Sequence, residues 1–355
     1  MLRSTEAAGQ PERFAQIAEL IEGARTIAIC AHTSPDGDAI GSGLALAELI
    51  ERAWPGREVT NLLADDEEVP RTYRFLPGSD RFVRAVDYAA TPDLFICVDL
   101  SQPTRLADSQ AVLERSPHVA VIDHHPSAEP FWDAAVVRTE AAATGVIVAE
   151  LADWRGCGLT RDMAQNLLCA LVTDTGRFQY QNANGEAFEV ASMLVDAGAS
   201  PAEVALNVYQ SDRLSYLHLA ATVMGRITTF EQGRISYSYA TAADFAATGV
   251  PVAETDGLVD LVRCVEGSEV ALFLKEVPGG KVRGNLRAKT DRDVSAIARE
   301  MGGGGHRAAA GFTVDGNIDQ ALCVVLPKLR ALYGNVADGA VAGACASRPE
   351  KGDVA

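Results

Sequence analysis

The densest group of ligand-type side chains lies in "CAHTSPDGDAIGS", Cys30 to Ser42, where His32, Asp36 and Asp38 fall within seven residues. Taken alone, "SPDGD" reads as a turn. Other acidic and imidazole residues close apolar runs: Asp99 ends "DLFICVD", Asp123, His124 and His125 follow "HVAVI", and Asp174 ends "LLCALVTD". Each piece has a bland reading, a loop cap after a strand or a pair of surface histidines. The joint pattern is harder to produce by chance. Four of the six histidines, His32, His124, His125 and His306, sit in glycine- or aspartate-rich motifs, while His118 and His218 read as ordinary structural residues. Carboxylates and imidazoles without thiolates suit Mn²⁺ or Mg²⁺, with Zn²⁺ or Fe²⁺ as alternatives. The inventory exceeds the needs of one ion. Two ions about 3.5–4 Å apart, bridged by a carboxylate, would use it and could activate water against a clamped phosphoryl group.

The elements that must position these residues follow from periodicity. Short apolar runs at 26–31, 58–64, 93–99, 118–123 and 134–138 alternate with helix-period segments such as 39–53 and 108–115. That alternation predicts an α/β fold, a parallel sheet with helices on both faces. In such sheets ligands bind beyond the carboxyl ends of the strands, where His32, Asp36 and Asp38, then Asp99, then Asp123, His124 and His125 fall, while Asp174 ends a helical run. After residue 143 the pattern turns mostly helical. From Arg226 it changes again: "RITTFEQGRISYSYA" and "EVALFLKEVPGGKVRGNLRAK" read as hairpins, followed by the helix "DVSAIAREM", the strand "GFTVDG" and a last amphipathic helix. The expected organisation is an N-terminal extension 1–14, a catalytic domain 15–205, a helical linker 206–225, a smaller α+β domain 226–334 and a disordered tail 335–355, with the active site in the cleft between the two domains.

A formal charge of −17 over 355 residues argues against a long polyanion as partner, because such binding needs many phosphates neutralised by Lys and Arg. A small phosphate substrate is compatible with locally placed cations. Seven cysteines form no C-x-x-C pair, and Cys30, Cys97 and Cys169 lie inside apolar runs, which points to a reducing cytoplasm. No signal-peptide core and no membrane span is expected.

These motifs together, "HTSPDGDAIGS", "CVDLSQPTRL", "VIDHHP", "LVTDTGRF" and "GGGGHRAAAGF", resemble the DHH phosphoesterases over roughly residues 15 to 330, the triplet standing here as Asp123-His124-His125. Within that family the arrangement is similar to the short branch that degrades very short RNA and dephosphorylates 3′-phosphoadenosine 5′-phosphate. The resemblance implies two Mn²⁺ ions in the first domain and a DHH-associated second domain closing over the site. It implies His32 and Asp36 on one ion, Asp38 on the other, Asp99 as the bridging carboxylate, and His124 and Asp174 completing the ligands of the second ion. Asp123 and His125 would support the centre and contact the scissile phosphate, with His125 in a proton-transfer or phosphate-polarising role. Activated water would be the nucleophile, so no covalent enzyme intermediate is expected. A homodimer is compatible with the resemblance.

In the second domain the resemblance draws attention to Gly303, Gly304, Gly305, His306 and Arg307, a glycine run that gives a ligand close access to the backbone. Arg283 and Arg287 alternate along one strand face and could grip a terminal phosphate. Where relatives read Ser-Leu-Arg-Ser, this chain has Asn285-Leu286-Arg287-Ala288, so a hydroxyl is missing beside Arg287. The expected activity is hydrolysis of short oligoribonucleotides and linear dinucleotides to nucleoside 5′-monophosphates, with adenosine bisphosphate as a second substrate and no membrane or long nucleic-acid partner. The alternatives are a manganese-dependent inorganic pyrophosphatase and a nucleotide-binding module that has lost catalysis.

Overall fold

The computed structural model describes residues 10–100, 102–126 and 130–334; the tail 335–355 and most of the N-terminal extension lie outside the described residues. The chain divides into two compact units, Met1–Ser211 and Asp212–Ala355.

The first unit contains six strands, β1 (Thr26–Cys30), β2 (Glu58–Leu63), β3 (Val83–Arg84), β4 (Leu94–Val98), β5 (His118–Asp123) and β6 (Ala134–Val137). All pair in parallel, in the order β3-β2-β1-β4-β5-β6. The five longer strands coincide with the five apolar runs. The two-residue β3 was too short to leave a pattern. Around the sheet lie α1 (Gln10–Gly23), α2 (Gly37–Ala53), α3 (Gln110–Arg115), α4 (Thr144–Arg155), α5 (Arg161–Asp174), α6 (Gly185–Asp196) and α7 (Pro201–Val204), followed by a π-helical turn at Ala205–Tyr209.

Alternation along the strands supplies both faces with core. Ile27, Ile29, Ile96 and Ile122 pack under α1, α2, α4 and α5, while Ala28, Cys30, Phe95, Cys97 and Val121 pack with Leu106 and Val112 on the other side. Helix α1 starts within the expected extension and draws Phe14 into the core. The sheet is wound outward from β1, with β2 to one side and β4 to the other, so the chain reverses direction across the carboxyl ends of β1 and β4.

Close helix packing sets the position of the site. A Cβ on Gly41 of α2 would lie 2.3 Å from the Asn166 carbonyl oxygen of α5, and one on Gly145 of α4 would lie 2.8 Å from Ala170 Cβ. These two glycines let three helices converge. The N-terminal ends of α2 and α4 and the C-terminal end of α5 therefore meet above the sheet.

The second unit contains α8 (Leu214–Gly225), β7 (Thr228–Phe230), β8 (Ile235–Ala240), α9 (Ala242–Thr248), α10 (Leu258–Arg263), β9 (Val270–Val277), β10 (Lys281–Ala288), α11 (Val294–Glu300), β11 (Gly304–His306), β12 (Ala309–Asp315) and α12 (Ile318–Ala331). Its sheet runs β11-β12-β10-β9-β8-β7. The two expected hairpins are β7–β8 and β9–β10, and β8 pairs with β9 in parallel across the α9–α10 crossover. Of the segment 206–225, α8 buries Leu219, Ala220 and Val223 with Phe245, Val250 and Leu258 inside this unit.

Candidate metal centre

The first cluster sits where strand β1 hands over to helix α2. Asp36 is the N-cap of α2, its Oδ1 accepting from the amides of Asp38 at 3.0 Å and Ala39 at 3.1 Å. The cap fixes the loop and turns Asp38 inward, where it is fully buried. Asp38 is held in turn by the N-terminus of α4: the Thr144 amide donates to its Oδ2 at 2.6 Å and the Gly145 amide to its Oδ1 at 2.9 Å, with Ser42 Oγ adding a bond at 2.8 Å.

Asp99 follows β4 with φ of 53°, a left-handed conformation that costs a non-glycine residue about 1–3 kcal/mol and concentrates at functional sites. The strained turn points its carboxylate back over the sheet, where Oδ1 accepts from Thr144 Oγ1 at 3.2 Å. From β5 come Asp123, buried, and the two histidines, whose rings meet edge to face at 4.4 Å. Asp174 is the last residue of α5. Gly176, Arg177 and Phe178 after it have φ of 54°, 63° and 60°, a left-handed turn that returns the chain so that Asn182 Nδ2 donates to Asp174 Oδ2 at 3.0 Å.

Eight residues expected from the sequence are thereby brought together: His32, Asp36, Asp38, Asp99, Asp123, His124, His125 and Asp174. Their ligand atoms fall into overlapping groups, each within 4.8 Å: His32, Asp36 and Asp99; Asp38, His124 and Asp174; and Asp99 with His124 and His125. Asp99 belongs to two of them.

The donor chemistry fits cations. His124 Nδ1 lies 3.1 Å from the Ala141 carbonyl, which can only accept, so Nδ1 carries the proton and Nε2 holds a lone pair. That Nε2 is buried, has no hydrogen-bond partner, and faces carboxylate oxygens of Asp99, Asp174 and Asp38 at 3.6, 3.7 and 3.8 Å. A lone pair against three carboxylates is repulsive unless a positive ion lies among them. His32 repeats the device, with Nδ1 donating to Thr33 O at 2.8 Å and Nε2 turned to Asp99 Oδ2 at 3.4 Å. His125 differs: its Nδ1 donates to Asp123 Oδ1 at 2.8 Å, so the nitrogen nearest Asp99 is protonated and is not a ligand.

Electrostatics agrees. Burial, and then the neighbouring carboxylates, hold the Asp99 carboxyl well above its usual range, and burial raises those of Asp38 and Asp174. Burial also lowers the His32 imidazole, favouring the neutral, ligating form. A cluster that resists ionisation alone is one that a divalent cation stabilises.

The other expected residues lie in the second unit. Arg283 and Arg287 share one face of β10 with Asn285 between them; Arg283 Nη2 lies 3.5 Å from Asp256 Oδ2, and Asn285 Nδ2 donates to Asp256 Oδ1 at 3.1 Å. Buried Lys275, opposite Arg283 on β9, also bonds Asp256, at 2.8 Å. The glycine run contains a strand without any periodic signal, β11, paired with β12. A Cβ on Gly303 would lie 2.0 Å from the Gly311 carbonyl, and Gly305 has φ of 133°, so packing and backbone conformation require these two glycines. Gly304 alone of the three has open space. Arg307 Nε donates to the Asp291 carbonyl at 3.0 Å, and the His306 side chain lies outside the described atoms.

Sequence reasoning passed over Thr144, Gly145 and Asn182. The two α4 residues hold Asp38 through backbone amides, which every residue type but proline carries; the Thr144 hydroxyl and the polar Asn182 in "QNANG" offered the only side-chain signals.

Parallel sheet, ligand cluster at the switch point and a second mixed-sheet unit define a class. Residues 26–173 match the DHH family N-terminal domain and residues 235–330 the DHHA1 domain, and the chain belongs to the DHH family of phosphoesterases, which are hydrolases. It is 32% identical over 322 residues to the bifunctional oligoribonuclease and PAP phosphatase NrnA of Thermus thermophilus, covering 89% of this chain and 92% of that protein. To the enzyme of the same name from Bacillus subtilis it is 25% identical, covering 81% and 89%. In fold it is similar to the crystal structure of an exopolyphosphatase-related protein from Bacteroides fragilis, with TM-score 0.83, 23% identity and coverage of 91% and 96%.

Proposed function

We propose that this chain hydrolyses short oligoribonucleotides and linear dinucleotides such as pApA and pGpG to nucleoside 5′-monophosphates, and 3′-phosphoadenosine 5′-phosphate to AMP. The observation that carries the reading is 32% identity sustained over 92% of the Thermus enzyme, both domains included, together with a complete set of converging ligands. The proposed cofactor is a pair of Mn²⁺ ions. His32, Asp36 and Asp99 would hold one, Asp38, His124 and Asp174 the other, with Asp99 shared. Bound there, the pair would lower the pKa of water and neutralise phosphoryl charge.

The chain's own residues supply the rest. Asp123 accepts the Nδ1 proton of His125, which fixes the ring and makes it a better proton carrier. His125 then hydrogen-bonds the phosphoryl group or passes a proton to the departing 3′-oxygen. Arg283, Arg287 and the segment from Gly303 to Arg307 are the proposed substrate contacts. The cytoplasm is the proposed site of action, which the proposed substrates support.

The test is a substrate series with Mn²⁺-loaded protein: 5′-phosphorylated RNA of two to ten nucleotides, adenosine bisphosphate and pyrophosphate. The expected result is fastest turnover of the shortest RNAs. Rapid pyrophosphate cleavage with none of dinucleotides would contradict the reading. Replacing His125 with alanine should lower kcat by about 10²–10⁴-fold, the usual contribution of a positioned proton-transfer group, while Mn²⁺ content stays unchanged.

A further inference from the structure

Strand β9 of the second unit buries a lysine. Lys275 is 1% exposed, and register places it directly opposite Arg283 of β10, so two like charges stand side by side on one face of the sheet. Facing cations destabilise a strand pair unless an anion lies with them. The loop between α9 and α10 supplies it. Each ammonium proton of Lys275 meets an acceptor there: Val252 O at 2.9 Å, Thr255 Oγ1 at 3.2 Å and Asp256 Oδ1 at 2.8 Å.

The two oxygens of Asp256 are used differently. Oδ1 takes both buried donors, Lys275 Nζ at 2.8 Å and Asn285 Nδ2 at 3.1 Å, whereas Oδ2 lies 3.5 Å from Arg283 Nη2. Burial opposes ionisation of this carboxyl, but Lys275, with Arg283 behind it, outweighs burial and holds it below its usual range. Asp256 is therefore a carboxylate fixed at one oxygen, with the other left to restrain a guanidinium. Arg283 is half-exposed, and among the described residues it makes no hydrogen bond and no other ion pair. One corner of its planar fork is held and the remaining donors are unspent. Arg287, two positions along the same face, has no carboxylate partner among the described residues; its Nη1 bonds the Leu286 carbonyl at 3.1 Å.

We propose that Asp256 is a positioning residue: it aims the Arg283 guanidinium at the terminal 5′-phosphate of the substrate and acts on that phosphate only through Arg283. The inference rests on the reading of Arg283 as a substrate contact. Asn285, standing where relatives carry a serine, takes part as the second donor that fixes Asp256. A guanidinium already aimed loses less rotamer freedom when the phosphate arrives, so the effect falls on affinity. Charge cancellation alone has the opposite sign. A carboxylate that merely neutralised Arg283 would weaken anion binding, and its removal would tighten it.

The test uses the Mn²⁺-loaded full chain with Arg283→Ala, Asp256→Asn and the two combined. AMP and adenosine, which differ by one phosphate, are titrated calorimetrically, and turnover of pApA and ApA is followed on the same samples. Arg283→Ala should weaken AMP binding about tenfold and Asp256→Asn about fivefold, with adenosine unchanged and the combined variant no weaker than Arg283→Ala alone. KM for pApA should rise in step, while kcat and the KM for ApA hold. Asp256→Asn leaves a buried lysine short of its counter-charge, so Asp256→Asn/Lys275→Met removes both buried charges together and should show the same loss of AMP affinity. Tighter AMP binding by Asp256→Asn overturns the proposal, as do losses that add in the combined variant, equal losses for adenosine, or an Arg283→Ala variant that binds AMP like the wild type. A coupled loss of AMP affinity with no pApA turnover even in the wild type would support Asp256 and remove the dinucleotide reading instead.

Discussion

Asp99→Asn should raise the thermal stability of the metal-free protein and abolish both the proposed stabilisation by Mn²⁺ and turnover. The carboxyl is buried beside Asp38, Asp123 and Asp174 and is held well above its ordinary range. With the folded pKa raised, the native state binds more protons than the unfolded chain from about pH 4 upward, so this group's contribution to stability falls as pH rises through that window. Asparagine keeps the shape, tolerates the left-handed backbone and removes the charge; the expected gain is about 0.5–2 kcal/mol. In the wild type, metal at a hundred times its Kd should add about 2.7 kcal/mol, and that increment should disappear in the variant. Calorimetry with and without Mn²⁺ between pH 5 and 8 checks both signs. A metal-free variant less stable than the wild type, or one that keeps the full Mn²⁺ shift, would remove Asp99 from the centre of the site.

Arg138→Met should be the most destabilising single change in the first unit, at about 3–5 kcal/mol. The guanidinium is buried; it donates to Glu150 Oε2 of α4 at 2.5 Å, to both oxygens of Glu186 of α6 at 3.0 and 3.1 Å, and to Glu140 at 3.1 Å. Methionine leaves the fully buried Glu150 without its main counter-charge. The consequence reaches function because α4 is the helix whose first two amides hold Asp38. Denaturant titration reads the loss. The double variant Arg138→Met/Glu150→Leu should recover most of it, because removing both members of a buried pair costs far less than removing one. A single variant within 1 kcal/mol of the wild type would show that the network contributes little.

The candidate ligands were legible in the sequence because each lies at the end of, or in the turn just after, an apolar run. Parallel strands such as "LFICV" are buried throughout and need no helper to be seen. Most of the grip on Asp38 was invisible, since two of its three donors are backbone amides of "TG" at a helix start far away in sequence. Arg138 sat in "VVRTE" as one more charged residue after a strand; only the fold reveals that Glu150 and Glu186 converge on it. The glycine run was read for ligand access, whereas for Gly303 and Gly305 the tighter constraint is the β12 backbone. Strands β3 and β11 have two and three residues, too few for a period to show.

The hydroxyl missing from "NLRA" acquires a concrete setting. Asn285 is nearly buried and its amide is spent on Asp256, which also takes Lys275 and lies beside Arg283. The chain thus has a carboxylate-centred network beneath the two proposed substrate arginines.

The number of Mn²⁺ ions bound per chain, by equilibrium dialysis at saturating metal, tests the centre most directly. The groups His32, Asp36 and Asp99, and Asp38, His124 and Asp174, with Asp99 proposed to bridge them, predict two ions for the wild type, one for His32→Ala, one for His124→Ala and fewer than one for Asp99→Asn. A single ion in the wild type, or two ions retained by Asp99→Asn, would contradict the account.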